Sequence, residues 1–186
     1  VKSTPDGQVA PALAKGWEID ESLTEYTFFL REAFFHNGDR VTTDDVVNAI
    51  NRARDPNVSQ RASRYQAITN VYGDGDRVKI ILSKPYAPLL YELTELSAAV
   101  YPKDADGLGN NPIGTGPYQF VDWRPNQYVQ LTRFERHWSM EKPYFKNVNF
   151  RIMPDANSAV LSLKTGLIDL IPRLEPDFLH QVGYVF

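Results

Sequence analysis

The sequence predicts a layered fold of mixed strands and helices, of the α/β or α+β class. Three observations carry this: short β-rich runs bounded by turn residues, helices with explicit start and stop signals, and no element long enough to dominate. The 186 residues suffice for one domain or two small ones. The longest uninterrupted apolar run is the four residues 98–101, whereas a membrane-spanning helix needs about 20. Twenty Lys and Arg against 23 Asp and Glu leave a net charge of −3, without the basic excess that a phosphate backbone demands. Nucleic acid is therefore not an expected partner. The absence of cysteine removes disulfides, thiolate metal sites and thiol nucleophiles together.

The first strand is read over Glu25 to Leu30, which is rich in Tyr, Thr and Phe and is followed by the turn signal Asn37-Gly38-Asp39. A helix then runs from Thr43 to Arg54. Thr42 and Asp45 stand at capping-box spacing, Val41 and Val46 at staple spacing, and Asp55-Pro56 stops the helix. Its apolar face is Val46, Val47, Ala49, Ile50 and Ala53. Gly73-Asp74-Gly75-Asp76 is turn chemistry ahead of a strand over Val78 to Leu82. Pro85 and Pro88 open a second helix with the stripe Leu89, Leu90, Leu93, Leu96 and with Glu92 and Glu95 solvated. Residues 102–117 hold too many Gly, Pro and Asn for a regular element, which places a loop and a subdomain boundary there. Strands follow over Tyr118 to Trp123, Tyr128 to Arg133 and Val148 to Ile152. Asp155 caps a short helix ending at Gly166, and Leu167 to Ile171 reads as a further strand.

No catalytic constellation is present. His36, His137 and His180 are far apart and none has a second His at metal-ligand spacing, so each reads as a surface or partly buried polar residue. Gly114-Thr115-Gly116-Pro117 lacks the Lys-Ser/Thr of a phosphate loop, and Pro117 removes a backbone donor. The acids around residues 74–76 and 104–106 lack the register of a calcium loop. The carboxylate pair Asp44-Asp45 is explained by helix capping. No nucleophile elbow, kinase set or dinucleotide fingerprint occurs. No enzyme, metal or cofactor is expected. Three Trp, ten Tyr and ten Phe can line a ligand cleft, although core packing accounts for most such residues.

Two ordered blocks resemble a known family. The first is Pro11-Ala12-Leu13-Ala14-Lys15-Gly16-Trp17-Glu18, Tyr26-Thr27-Phe28-Phe29-Leu30-Arg31, Phe35-His36-Asn37-Gly38-Asp39 and Thr42-Thr43-Asp44-Asp45-Val46-Val47. The second is Asn111-Pro112-Ile113-Gly114-Thr115-Gly116-Pro117-Tyr118 with Trp123, Arg133, Trp138, Pro143, Phe150-Arg151-Ile152-Met153-Pro154-Asp155-Ala156-Asn157, Gly166 and Asp169. Together, over about residues 9–172, they are similar in order and spacing to the family 5 extracellular solute-binding proteins, the dipeptide, oligopeptide and nickel receptors of ABC importers. The stretch Arg31-Glu32-Ala33-Phe34-Phe35 departs from the usual pattern of a Gly after the Arg and a basic residue before the Phe.

The resemblance implies a periplasmic-binding-protein type II fold, of which this chain is part of the first lobe, with mixed sheets flanked by helices. Residues 1–111 would be the small subdomain, 112–175 part of the central-sheet subdomain, and 176–186 the start of a segment toward the second lobe. Gly114, Thr115, Gly116 and Pro117 would form the subdomain junction, and Ile171, Pro172 and Arg173 a hinge strand. It also implies capture of a small peptide or related solute between two lobes, delivery to a membrane permease, and a periplasmic or extracellular location. A nickel chelate or an oligosaccharide is possible cargo within the same fold; a peptide-holding sensor or chaperone, or less readily an α/β hydrolase, is the alternative. Arg64 and Tyr65 after the first helix and Ser97 after the second are the candidate ligand contacts. Arg64 would hold a carboxylate and Tyr65 would pack on an apolar side chain. The chain opens Val1-Lys2-Ser3-Thr4-Pro5 and closes on Gly183-Tyr184-Val185-Phe186, so a processed or excised piece is expected. Its apolar residues Phe178, Leu179, Val182, Tyr184 and Phe186 would favour self-association.

Overall fold

In the computed structural model, which describes residues 1–182, the alternation of Val78, Ile80 and Leu82 with Arg77, Lys79 and Ile81 decides which face of the main sheet is buried. That strand, β6 (Arg77–Leu82), belongs to an antiparallel four-stranded sheet with β3 (Ala14–Ile19), β4 (Glu25–Leu30) and β5 (Ile68–Asp74), in the order β3-β4-β6-β5. Val78 and Ile80 are wholly buried, beside Tyr26 and Phe28 of β4 and Ile68 and Val71 of β5. The opposite face carries the Lys79–Glu25 ion pair at 2.8 Å. A solvent-accessible pair of this kind contributes about 0–1 kcal/mol, whereas each fully buried aliphatic or aromatic side chain contributes about 1.5–3 kcal/mol. The apolar face therefore sets the register.

Helix α1 (Thr43–Arg54) closes that face with Ile50 and Ala53 fully buried and Val46 and Val47 packed against the same cluster. Both halves of the capping box are formed: the Thr42 N–H donates to Asp45 Oδ2 at 2.8 Å, and the Asp45 N–H to Thr42 Oγ1 at 3.4 Å. The Asp45 carboxylate is buried and also accepts the Lys103 N–H at 3.0 Å. It thus fixes the helix start to a loop 58 residues away. Gly73 of β5 lies against this same turn, where a Cβ would fall 2.7 Å from Thr43 Oγ1 and 2.9 Å from Thr43 Cβ. Only glycine lets β5 approach so closely.

Two short strands, β1 (Lys2–Ser3) and β2 (Val9–Ala10), form a separate ladder. β3 has no clean sequence alternation because its pairing with β4 shifts register between Ala14 and Gly16. The turn between β3 and β4 is held by Asp20, whose carboxylate accepts the N–H groups of Ser22, Thr24 and Glu25. Bonds from the Ser22 hydroxyl and then from the Glu25 and Thr24 amides hold its pKa down, to about 2. A second small cluster buries Ala33, Phe35 and Val41, with Leu13, Ile113 and Trp138 packed against it.

The expected second helix is shorter than its leucine stripe. Helix α2 spans only Leu89–Glu92, a 3-10 turn follows at Leu96–Ala98, and Leu96 is 91% exposed where the stripe would bury it. Two side-chain hydroxyls end the helix. Thr94 Oγ1 donates to the Tyr91 carbonyl at 2.8 Å and the Tyr65 hydroxyl to the Glu92 carbonyl at 2.7 Å, on the oxygens that Glu95 and Leu96 would use to continue an α-helix.

The chain divides into two compact units, residues 1–120 with 132–146, and residues 121–131 with 147–186. The junction residues 114–117 lie in the first. Strands β7 (Tyr118–Arg124), β8 (Tyr128–Arg133) and β9 (Asn147–Arg151) form a three-stranded sheet in that order; the second unit holds β9, most of β7 and β8, and helix α3 (Ala156–Lys164). Asp155 caps α3 by accepting the Ser158 N–H at 2.7 Å. The expected strand over Leu167 to Ile171 is not formed. Past Gly166 (φ +71°), the N–H groups of Leu167 and Ile168 both turn back to the Ser162 carbonyl and close the helix end, so they are unavailable to a ladder. Ile171, Pro172 and Arg173 accordingly lie outside any helix or strand. A 3-10 turn at Pro176–Phe178 leads into the short α4 (Leu179–Val182); Tyr184 and Phe186 lie outside the described residues.

Thr42→Ala is expected to destabilise the chain by about 0.5–1 kcal/mol. Asp45→Ala removes three acceptor bonds, one of them to the distant Lys103 amide, and is expected to cost about 2–3 kcal/mol. Urea midpoints at unchanged slope measure both; equal costs would show that the link to Lys103 carries nothing.

Candidate functional site

Residues Arg64, Tyr65 and Ser97, far apart in sequence, are brought together by the end of α2. The 3-10 turn Ala62–Tyr65 follows α1 and faces α2 with Tyr65 fully buried. The Tyr65 hydroxyl donates to the Glu92 carbonyl at 2.7 Å and shares a hydrogen with Ser97 Oγ at 2.9 Å. Burial pushes the phenol pKa up, and the Ser97 bond opposes that shift. Arg64 Nη1 meets Glu92 Oε2 at 3.0 Å. The bond to Glu92 and the charge of that carboxylate raise the guanidinium pKa.

This geometry redistributes the roles read from the sequence. The Tyr65 ring has no exposed surface, so it positions the 92–97 turn rather than offering a face. The Arg64 side chain stays partly exposed beside its pair with Glu92, whose own side chain is mostly covered. The exposed apolar groups here are Leu96 and Tyr91, neither singled out from sequence. The stripe assigned Leu96 to a buried face, whereas α2 ends before it, with the Thr94 and Tyr65 hydroxyls on its last carbonyls, and Leu96 is exposed. Glu92, read as solvated, is an ion-pair partner instead.

The junction residues sit against His36. The His36 N–H donates to the Gly114 carbonyl at 2.9 Å, the Gly114 N–H to His36 Nδ1 at 3.2 Å, and His36 Nε2 bonds the Gly116 carbonyl at 3.0 Å. The Pro117 carbonyl accepts the Phe134 N–H at 2.9 Å. Within this loop the Gly114 N–H is thus taken by His36 and Pro117 has no N–H to offer. Among the described residues no three His, Cys, Asp or Glu side chains converge as a metal site. A shallow surface depression of about 400 Å³ lies in the second unit between β8 and β9 and is lined by Tyr128, Gln130, Asn149 and Arg151 among others. It contains none of the candidate contacts. No helix among the described residues is long and apolar enough to cross a membrane.

The chain belongs to the bacterial extracellular solute-binding proteins, family 5, whose middle-region model matches residues 8–183. It is 31% identical to heme-binding protein A of Haemophilus influenzae, over 88% of this chain and 35% of that protein. It is 29% identical to the oligopeptide-binding protein AppA of Bacillus subtilis, over 82% of this chain and 30% of the relative. The fold matches NikA from Brucella suis, solved with Fe(III)-EDTA, at a TM-score of 0.84 and 28% identity, over 97% of this chain and 39% of that structure. DppA from Helicobacter pylori in complex with the peptide STSA matches at 0.81 and 27%, over 92% and 39%. The fold is that of the type II periplasmic binding proteins, and the chain spans about a third of the length of these relatives. The relatives are solute-binding proteins rather than enzymes.

Tyr65→Phe is expected to destabilise the chain by about 1–2 kcal/mol, since it strips the Glu92 carbonyl and the Ser97 hydroxyl of one partner while leaving the ring packed. Thermal or urea unfolding measures it; an unchanged midpoint would remove the hydroxyl from the role of helix stop.

Proposed function

We propose that this chain is part of the first lobe of an ABC-importer receptor that captures a peptide-like solute between two lobes and presents it to a membrane permease on the periplasmic or extracellular side. The observation that carries this reading is family membership over residues 8–183 together with an exposed cationic and apolar cluster at the end of α2. Arg64, held by Glu92, offers planar donors for a carboxylate. Leu96 supplies the apolar contact, and Ser97, fixed by Tyr65, a hydroxyl. Ligand capture is a closure event in which affinity comes from surface on both lobes, so one lobe binds weakly. Residues 171–173 serve as the hinge leading toward the second lobe, and residues 114–117 as the junction between subdomains. The exposed side chains Val121, Trp123, Phe150 and Ile152 in the second unit favour association of the isolated chain.

Native mass spectrometry of the intact receptor containing this segment is expected to show a carried peptide. The double variant Arg64→Ala, Leu96→Ala is expected to weaken binding by about tenfold or more, near 1.4 kcal/mol. The same measurement on the 186-residue chain reads its oligomeric state, expected to rise with concentration. Unchanged affinity in the double variant would remove these residues from the contact surface, and a non-peptide cargo would redirect the substrate class.

A further inference from the structure

His36 is bonded through both ring nitrogens to one loop, and the chemistry of its partners fixes its protonation state. The Gly114 N–H can only donate, so Nδ1 facing it carries a lone pair; the Gly116 carbonyl can only accept, so Nε2 carries the hydrogen. Only the neutral Nε2–H imidazole satisfies both. A third bond, from the His36 N–H to the Gly114 carbonyl, ties the same two loops through backbone. The ring edge packs on Phe134 with centroids 5.0 Å apart, and Gly114 lies in van der Waals contact range of the ring, where a Cβ would fall 3.6 Å from the imidazole Cε1. A second histidine nearby, His137, likewise accepts a backbone N–H at Nδ1, from Ser139 at 3.3 Å.

We propose that His36, with His137 beside it, is a proton-operated latch. Neutral, His36 holds the 111–118 loop on the 33–41 turn; protonated, it releases that loop, which leads directly into β7.

Burial first, and for His137 nearby positive charge as well, favours the neutral state. On the 31–41 segment, Arg31 stacks on Trp138 at 4.1 Å, Glu32 and Arg40 are exposed, and the Asp39 carboxylate is taken by the Asn37 amide at 2.6 Å. On the 134–139 segment, Glu135 is paired with Arg133 and Lys142, and Arg136 stacks on Phe34 at 3.9 Å. The only titratable group of the 111–118 loop is Tyr118, whose hydroxyl donates to the Phe145 carbonyl. No carboxylate is bonded to either imidazole among the described residues. Burial lowers the His36 pKa, outweighing the Gly116 carbonyl, which favours the cation. His137 is lowered by burial first and then by the charges of His36, Arg31 and Lys2. Both groups bind protons more tightly in the open loop, so the latch is intact above the ordinary histidine range near pH 6.5 and weakens as pH falls below it.

The test is nitrogen-detected imidazole NMR with amide exchange on the 186-residue chain from about pH 8 to about pH 5. The expected result is an Nε2–H tautomer for His36 at the upper end. The Gly114 amide should then lose protection by up to about tenfold per pH unit, beyond the intrinsic rate change, through the His36 titration, while Ile80 in the sheet keeps its protection. His36→Gln, which offers a donor and an acceptor without titrating, should leave Gly114 protection independent of pH. An Nδ1–H tautomer, or Gly114 protection that ignores the His36 titration in the unsubstituted chain, would overturn the latch whether or not the variant folds. So would a His36→Gln chain that keeps the original pH response.

Discussion

The first unit depends on one seam, in which Ile50 and Ala53 of α1 close over Tyr26, Val78 and Ile80 of the four-stranded sheet with almost no exposed surface. Because the side-chain period of a strand is two, a one-residue slip of β6 would carry Val78, Ile80 and Leu82 to the solvent face and bury Arg77 and Lys79. The seam therefore fixes register, and register fixes where α1 begins and ends. The Asp45 carboxylate and the Gly73 approach hold the helix start. At its far end the chain turns after Arg54 into the 3-10 segment that places Tyr65 under α2. The candidate contact cluster is thus a consequence of the seam: moving α1 along its axis would withdraw the hydroxyl that stops α2 and exposes Leu96.

What was legible in the sequence is what local chemistry decides. Thr42, Asp45 and Asp55-Pro56 bound α1 within the sequence itself, and the expected span 43–54 is the observed one. β4, β6 and β8 carry enough alternation or β-branched content to be read alone. The elements that escaped are decided by pairings that composition does not display, two of them across distance and one within a helix end. β3 is hidden by the register shift at Ala14–Gly16, which breaks its period. The truncation of α2 depends on a phenol 27 residues upstream of Glu92. The absent strand after α3 reflects backbone amides consumed by the helix end at Ser162.

The same division applies to function. The family was readable because two ordered blocks survive in the sequence, and the family model spans the same region. Arg64, Tyr65 and Ser97 do assemble, but their roles follow from burial, which one sequence does not display. A residue with no exposed surface positions others, and Leu96, not Tyr65, is the apolar side chain left exposed here. The chain's relatives include a heme-binding and an oligopeptide-binding protein.

Hydrogen exchange in the intact receptor, with and without a bound peptide, tests the assignment of the α2 end as ligand-facing most directly. Closure over a solute should slow exchange at amides of residues 91–98 and 62–66 while the β4–β6 ladder, already protected by the seam, stays unchanged. Slowing confined to other parts of the receptor, with residues 91–98 exchanging as in the free protein, would contradict it.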